Sequence, residues 1–164
     1  MTMQSSPISG AVERVVDAAR AADLQVTPYR FPDGTRTAEQ AASAVGVDVE
    51  RIVKSLVFDL DGEAVLALVG GADRLDEKRL ASAAGAAEVQ RPDADRVRAV
   101  TGFAIGGVAP IGHDRTLRVF MDPALLEQPT VWAAAGTGQD VFEVEPSRLA
   151  EVSGAEVTQI RKQR

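Results

Sequence analysis

Two apolar runs separated by Asp61-Gly62 constrain this chain more than any other feature. Ile52-Val53-Lys54-Ser55-Leu56-Val57-Phe58 comes first, and Glu63 to Val69 follows. Asp-Gly between two strand-like runs signals a tight hairpin, because both turn residues take positive φ. Side chains alternate along a strand, so Ile52, Lys54, Leu56 and Phe58 share one face and Val53, Ser55 and Val57 the other. Both faces are apolar, which predicts a buried strand with one lysine in its middle. An ammonium among Ile, Leu and Phe is costly to desolvate unless something anionic or strongly polar meets it. Taken from the strand alone, Lys54 is either such a functional group or a lysine near a strand end that reaches water on its apolar stem.

Around the hairpin, local signals set out the other elements. Val12, Val15, Val16 and Ala19 recur at helical spacing, which predicts a helix over 9–23. Val26 to Phe31 reads as a strand and Pro32-Asp33-Gly34 as a turn. Thr37 and Gln40 have capping-box spacing, opening a helix that stops at Gly46. A helix over 76–84 ends at Gly85, and another opens at Pro92 or Asp93 and ends at Gly102. Glu88 to Gln90 is a short strand. Phe103 to His113 is an apolar loop punctuated by glycine. A strand over 116–121 and a helical turn over 123–127 follow. Strands over 131–135 and 141–145 pair across Gly136-Thr137-Gly138. A helix over 147–152 and a strand over 155–160 complete the chain. Interleaved strands and helices with at least two hairpins predict a mixed α/β (α+β) fold rather than a doubly wound parallel sheet. Residues 1–8 are short, polar and expected to be frayed. Residues 161–164 form a basic tail expected to be loose.

Composition narrows the chemistry. At 164 residues the chain fits one domain with a real core. It has no cysteine, which excludes a disulfide framework, a thiolate metal site and a cysteine nucleophile, and suits a reducing cytosol. A single histidine, His113, excludes a multi-histidine metal site. No run approaches the roughly 20 apolar residues of a membrane span. The net charge of −6 argues against a protein that coats DNA, and limits any nucleic-acid contact to a small local one.

Several motifs compete for the chemistry. Asp59-Leu60-Asp61-Gly62 copies the D-x-D-G nucleophile motif of haloacid-dehalogenase-like phosphatases, but the strand lies far from the chain start and leads into a hairpin. Turn chemistry accounts for it more simply. Gly136-Thr137-Gly138 lacks the Gly-Lys-Ser/Thr of a phosphate loop and reads as a turn. No Ser/His/Asp set carries a signature. Gly106-Gly107-Val108-Ala109-Pro110 is flexible at one end and stiff at the other, and can aim successive N–H groups at an anion or a polarised carbonyl. A plain connection fits it as well. His113 is either a general base or a hydrogen-bonded bystander.

Together these segments resemble the YbaK/EbsC aminoacyl-tRNA deacylases, relatives of the editing domain of bacterial prolyl-tRNA synthetases. The resemblance rests on Gly34-Thr35-Arg36-Thr37-Ala38-Glu39-Gln40-Ala41-Ala42, on Arg51 to Val57, on Leu75-Asp76-Glu77-Lys78-Arg79-Leu80, and on Thr101-Gly102-Phe103 with Gly106 to Gly112. It also takes in Ala134-Ala135-Gly136 running to Glu145-Pro146. It implies one editing domain over 9–160, with a curved, mixed, largely antiparallel sheet and flanking helices. It implies that Lys54 is the key lysine and that Ser55 matches a small polar neighbour. Gly106 to Pro110 (Gly106, Gly107, Val108, Ala109, Pro110) then matches the loop that holds the aminoacyl group. Tyr29, Thr37 and Gly136 are implied pocket positions, although Thr37 is equally an N-cap, and His113 is a supporting residue behind the loop. Relatives often carry Ser-Gly-Gly where this chain has Ala134-Ala135-Gly136, so a preference for cysteine as substrate does not transfer.

The activity implied is hydrolysis of the ester joining a wrong amino acid to the tRNA 3′ end, in trans, in the cytoplasm, without metal or other cofactor. The substrate's own 2′-hydroxyl assists. The partners implied are the aminoacyl-tRNA acceptor end and a tRNA synthetase, with no membrane and no DNA. Arg30, Arg36, Arg51 and the basic tail are candidates for contacts beyond the acceptor end. The competing readings are a catalytically idle aminoacyl- or nucleotide-binding module that docks on a synthetase, and the Mg²⁺-dependent phosphatase of the D-x-D-G reading.

Overall fold

The computed structural model describes residues 3–8 and 10–163. Ser9, the expected start of the first helix, lies outside them, as do Met1, Thr2 and Arg164. The hairpin forms as expected, with β3 spanning Val53–Leu60 and β4 Glu63–Gly70. Asp61 and Gly62 sit at φ 51° and 84°, the left-handed pair that a two-residue turn requires. Asp61 does a second job. Its carboxylate accepts the Glu88 N–H at 2.8 Å and the Ala87 N–H at 3.1 Å, which pins the segment feeding β5 (Val89–Gln90). Asp59 is held by Arg96 at 2.9 Å. Both carboxylates of the phosphatase look-alike are therefore engaged in structure.

Five strands form one sheet in the order β5-β3-β4-β6-β9, where β6 is Arg118–Met121 and β9 is Glu156–Val157. β4 pairs antiparallel with β3 and parallel with β6. Four more strands form an antiparallel sheet in the order β1-β2-β8-β7, with β1 Gln4–Ser5, β2 Pro28–Arg30, β7 Val131–Ala134 and β8 Asp140–Val144. The mixed α/β class holds, but the strands divide between two sheets where the resemblance implied one curved sheet. A single parallel bridge, Ile52 to Trp132, joins them.

Alternation explains why the hairpin is apolar on both sides. Leu66 and Leu68 of β4 enter a core shared with Val53, Val119, Ala133 and Phe142. Val65, Ala67 and Val69 enter a second core with Phe58, Leu80 and Phe120. α1 (Gly10–Ala21) covers the first through Val15 and Ala19, and α3 (Glu77–Ala84) covers the second through Leu80. The remaining helices are α2 (Ala38–Val45), α4 (Ala94–Thr101) and α5 (Pro146–Ser153). None of the helices among the described residues is long and apolar enough to cross a membrane.

The described residues near both ends depart from expectation. Gln4 and Ser5, read as frayed, pair with Arg30 and Tyr29, and buried Ser6 donates its hydroxyl to Asp140. The tail read as loose is stitched down at its start. Arg161 bridges to Leu75, and the buried Asp122 carboxylate accepts the Ile160 and Arg161 N–H groups at 2.9 and 3.0 Å. The last strand is accordingly shorter than the expected 155–160. In each case the deciding partner is distant in sequence, so local composition carried no trace of it.

Candidate active site

β3 pairs with β4 along its whole length on one edge, but on the other only its end is covered. Leu60 and Glu63 flank the two-residue turn and form a hydrogen-bonded pair. By antiparallel alternation, the main-chain groups of Ser55 and Val57 point away from β4. β5 pairs with Asp59 and Leu60, and the Trp132 bridge meets Ile52. Between those points no strand among the described residues covers the edge. The two sheets part there, and a cavity of about 650 Å³ occupies the gap. Its walls are Ile52 and β3 as far as Phe58, the start of α2, the glycine loop at Gly106 and Val108, and β7 from Trp132 to Ala134.

Lys54 lines this cavity and donates from Nζ to the main-chain carbonyl of Asp73. Burial pulls its pKa below the ordinary lysine value, against the carboxylates of Glu39 and Asp73 that favour the charged form, while Arg74 adds to the lowering. An ammonium has three donors, so two remain for a ligand. Ser55 Oγ and Trp132 Nε1, both on lining residues, are buried without a hydrogen-bond partner among the described residues. Unsatisfied buried polar atoms of this kind concentrate where a ligand or solvent completes the site.

The other expected residues divide in two. Gly106, Val108 and Thr37 line the cavity. Thr37 also caps α2, accepting the Gln40 N–H at 3.1 Å. Gly107, Ala109, Pro110, Gly136, Tyr29 and His113 lie outside the lining. Gly107 donates its N–H to Ala104 at 2.9 Å, and a Cβ there would stand 2.5 Å from Thr137 Cα. It is glycine so that the loop can rest on the 136–138 turn. Gly136 (φ 102°) packs on α1, where a Cβ would meet the Ala11 carbonyl at 2.8 Å. Tyr29 backs Trp132, ring centroids 6.0 Å apart. His113 Nε2 donates to the Ala109 carbonyl at 2.7 Å, and burial pulls its pKa down, against that bond and Asp114. His113 thus braces the loop from behind.

Of the arginines singled out from sequence, Arg30 is clamped on Asp140 at 2.9 and 3.0 Å, and Arg51 donates to the Thr130 carbonyl at 2.9 Å. Arg36 reaches the cavity wall. Lys162, from the basic tail named as a candidate for outer contacts, also lines it, as do Arg74, Arg91, Ile105, Trp132 and Asp140, none of which sequence reasoning singled out as site residues. Trp132, the one tryptophan of the chain, was the available signal. The rest come from separate segments with no shared motif.

Comparisons with known proteins identify the family and the fold. A family model described as an aminoacyl-tRNA editing domain matches residues 32–152. A solved structure provisionally described as a trans-editing enzyme for prolyl tRNA synthetase superposes with a TM-score of 0.90 at 39% identity, over 96% of this chain and 100% of that one. The YwhH protein of Bacillus subtilis is 35% identical over 129 residues, 77% of this chain and 81% of that protein. The proline–tRNA ligase of Maridesulfovibrio salexigens is 34% identical over 107 residues, 65% of this chain but 18% of the ligase. With a family model covering most of its length and a matching fold, the chain belongs to the aminoacyl-tRNA editing domain family.

Proposed function

We propose that the protein is a trans-acting aminoacyl-tRNA deacylase of translation quality control, which hydrolyses the ester of mischarged tRNA in the cytoplasm. The observation that carries this reading is Lys54, held by the Asp73 carbonyl in a cavity whose facing wall is the glycine loop. The family match and the similarity to prolyl-tRNA synthetase editing regions support the acceptor end of an aminoacyl-tRNA as substrate, with a synthetase as a second partner.

In this mechanism the two free ammonium protons of Lys54 bind the terminal ribose and its phosphate, because a flexible point charge suits oxygens with growing negative charge. Water, oriented by the substrate's 2′-hydroxyl, attacks the ester carbonyl. Main-chain donors of the loop near Gly106 and Val108, and of the open β3 edge at Ser55 and Val57, stabilise the tetrahedral oxyanion. The acyl carbon–oxygen bond then breaks, the 3′-oxygen takes up the proton given by water, and the free amino acid leaves. Gly107 supports this step by packing rather than by donating. No protein nucleophile and no metal takes part.

Single-turnover release of amino acid from a panel of mischarged tRNAs, in EDTA, tests the proposal with wild type and Lys54→Ala. Release of one or two amino acids that is lost in the variant is the expected result. No release across the panel, with aminoacyl-adenosine still bound, would replace the deacylase by an idle binding module. Release that EDTA abolishes would overturn the metal-free mechanism.

A further inference from the structure

Four exposed cations line the cavity of an acidic protein. Arg36 lies just before α2, Arg74 and Lys162 come together through the Lys162 N–H on the Arg74 carbonyl, and Arg91 reaches Glu77, three residues on from Arg74. Lining acids are Glu77 and Asp140, and Asp140 is already paired with Arg30 at 2.9 Å. Resting on the deacylase reading above, we propose that Arg74, Arg91 and Lys162 form a phosphate-binding rim that takes the single-stranded 3′ end of RNA into the cavity.

The rim is built into the fold. The Lys162 N–H donates to the Arg74 carbonyl, and the Asp76 N–H to the Ile160 carbonyl, both at 2.7 Å. Leu75 and Arg161 form an antiparallel bridge, which sets Arg74 directly opposite Lys162. Arg161 turns inward, 3.6 Å from Asp73 and 3.5 Å from Asp122. Alternation along the segment then turns Lys162 outward. Like charges directly opposite across a strand pair destabilise it. Among the described residues neither Arg74 nor Lys162 has an ion pair to relieve this, and an anion between them would. Arg91 meets Glu77 at 3.5 Å, but its side chain is 78% exposed, so that pair competes weakly with a phosphate.

Position gives the direction of the strand. Lys54 binds the carbonyl of Asp73, the residue next to Arg74. In the proposal, the phosphate held between Arg74 and Lys162 is the one next to the ester site, and the preceding phosphate runs toward Arg91. Arg36, just before α2, shares its helix start with the Glu39 carboxylate, which disfavours a polyanion there.

The test uses the whole chain and a fluorescent single-stranded oligonucleotide ending in CCA, with binding measured against salt. Neutralising three phosphate contacts flattens the log–log salt slope by about 2, at roughly 0.7 per contact for single strands. The combined variant Arg74→Gln, Arg91→Gln, Lys162→Gln is expected to show that change and at least about tenfold weaker binding at low salt, with Lys162→Gln alone lowering the slope by about 0.7. Arg20→Gln, Arg98→Gln, Arg115→Gln removes equal charge from residues outside the cavity and is expected to leave the slope unchanged. Equal slopes for the two combined variants would overturn the rim. In turnover, the rim variant is expected to lose more on aminoacyl-tRNA than on aminoacyl-adenosine, which lacks the phosphates. A wild type that releases nothing yet binds the oligonucleotide through the rim removes the deacylase reading and leaves the rim standing. Release without rim-dependent binding does the reverse.

Discussion

Asp140→Ala removes the group on which one wall of the cavity is hung. The carboxylate is fully buried and accepts Arg30 Nε at 3.0 Å and Nη2 at 2.9 Å. It also accepts the hydroxyls of Ser6 and Thr137, so it ties β1, β2 and the turn beneath the glycine loop to β8. Breaking a buried pair from one side costs roughly 3–5 kcal/mol, because the partner is left uncompensated. The Arg30 side chain is 32% exposed, so water recovers part of that loss. The net expectation is about 2–3 kcal/mol. In urea, with a slope of about 2 kcal/mol/M, the midpoint falls by about 1–1.5 M at unchanged slope. A pH series separates charge from packing. Burial alone would push the Asp140 carboxyl up, but Arg30, Ser6 and Thr137 outweigh it and hold it below the usual carboxylate value. A depressed carboxylate contributes stability that is present above its unfolded pKa, near about 4, and is lost as pH falls through its folded pKa. The gap between wild type and variant should therefore stay flat from about pH 8 to 5 and narrow below about pH 4. A neutral-pH gap under about 0.5 kcal/mol, or one that widens in acid, would refute the assignment of Asp140 as the fastening point.

Gly107→Ala places a Cβ 2.5 Å from Thr137 Cα, main chain that cannot swing aside, so a loss of about 1–3 kcal/mol in thermal or urea unfolding is expected together with slower deacylation. A full-rate, fully stable variant would show that the loop does not rest on that turn. Lys54→Met is expected to abolish amino-acid release while raising stability at neutral pH, because burial lowers the lysine pKa. The cost of the charged lysine is present below its folded pKa and fades as pH rises toward the unfolded value near about 10.4, so the stability gain should shrink in that range. A destabilised Met variant in urea melts would contradict this.

Local chemistry made much of the architecture legible. Thr37, Asp76 and Asp93 each accept N–H groups of the turn they open, and Gly46, Gly85 and Gly102 close those helices at φ 79°, 71° and 80°. Such caps act within four residues, so their spacing in the sequence is their geometry. The candidate lysine was legible for a related reason: a charge amid a period-two apolar run conflicts with its surroundings whatever the fold. The glycine loop was legible as a loop, yet the division of labour within it was not. Gly107 is required by contact with Thr137 and Ala109 is sealed in the core, whereas Gly106 and Val108 face the cavity. Those outcomes depend on what lies across the gap.

By itself, then, the sequence determined the elements, their caps, the two-sided hairpin and the lysine within it, because each follows from residues close together along the chain. The tertiary structure decided where the two sheets part, which main-chain edge that leaves open, and which face of the glycine loop meets the cavity. It also turned the segments 4–6 and 160–162 from apparent tails into structure. Ser6 hangs on Asp140, and the segment at Arg161 hangs on Asp122 and Leu75. The physical reason is common to all of these. Burial and long-range hydrogen bonding are properties of pairs separated by tens of residues or more, and neither member of such a pair carries its partner's position in its own neighbourhood.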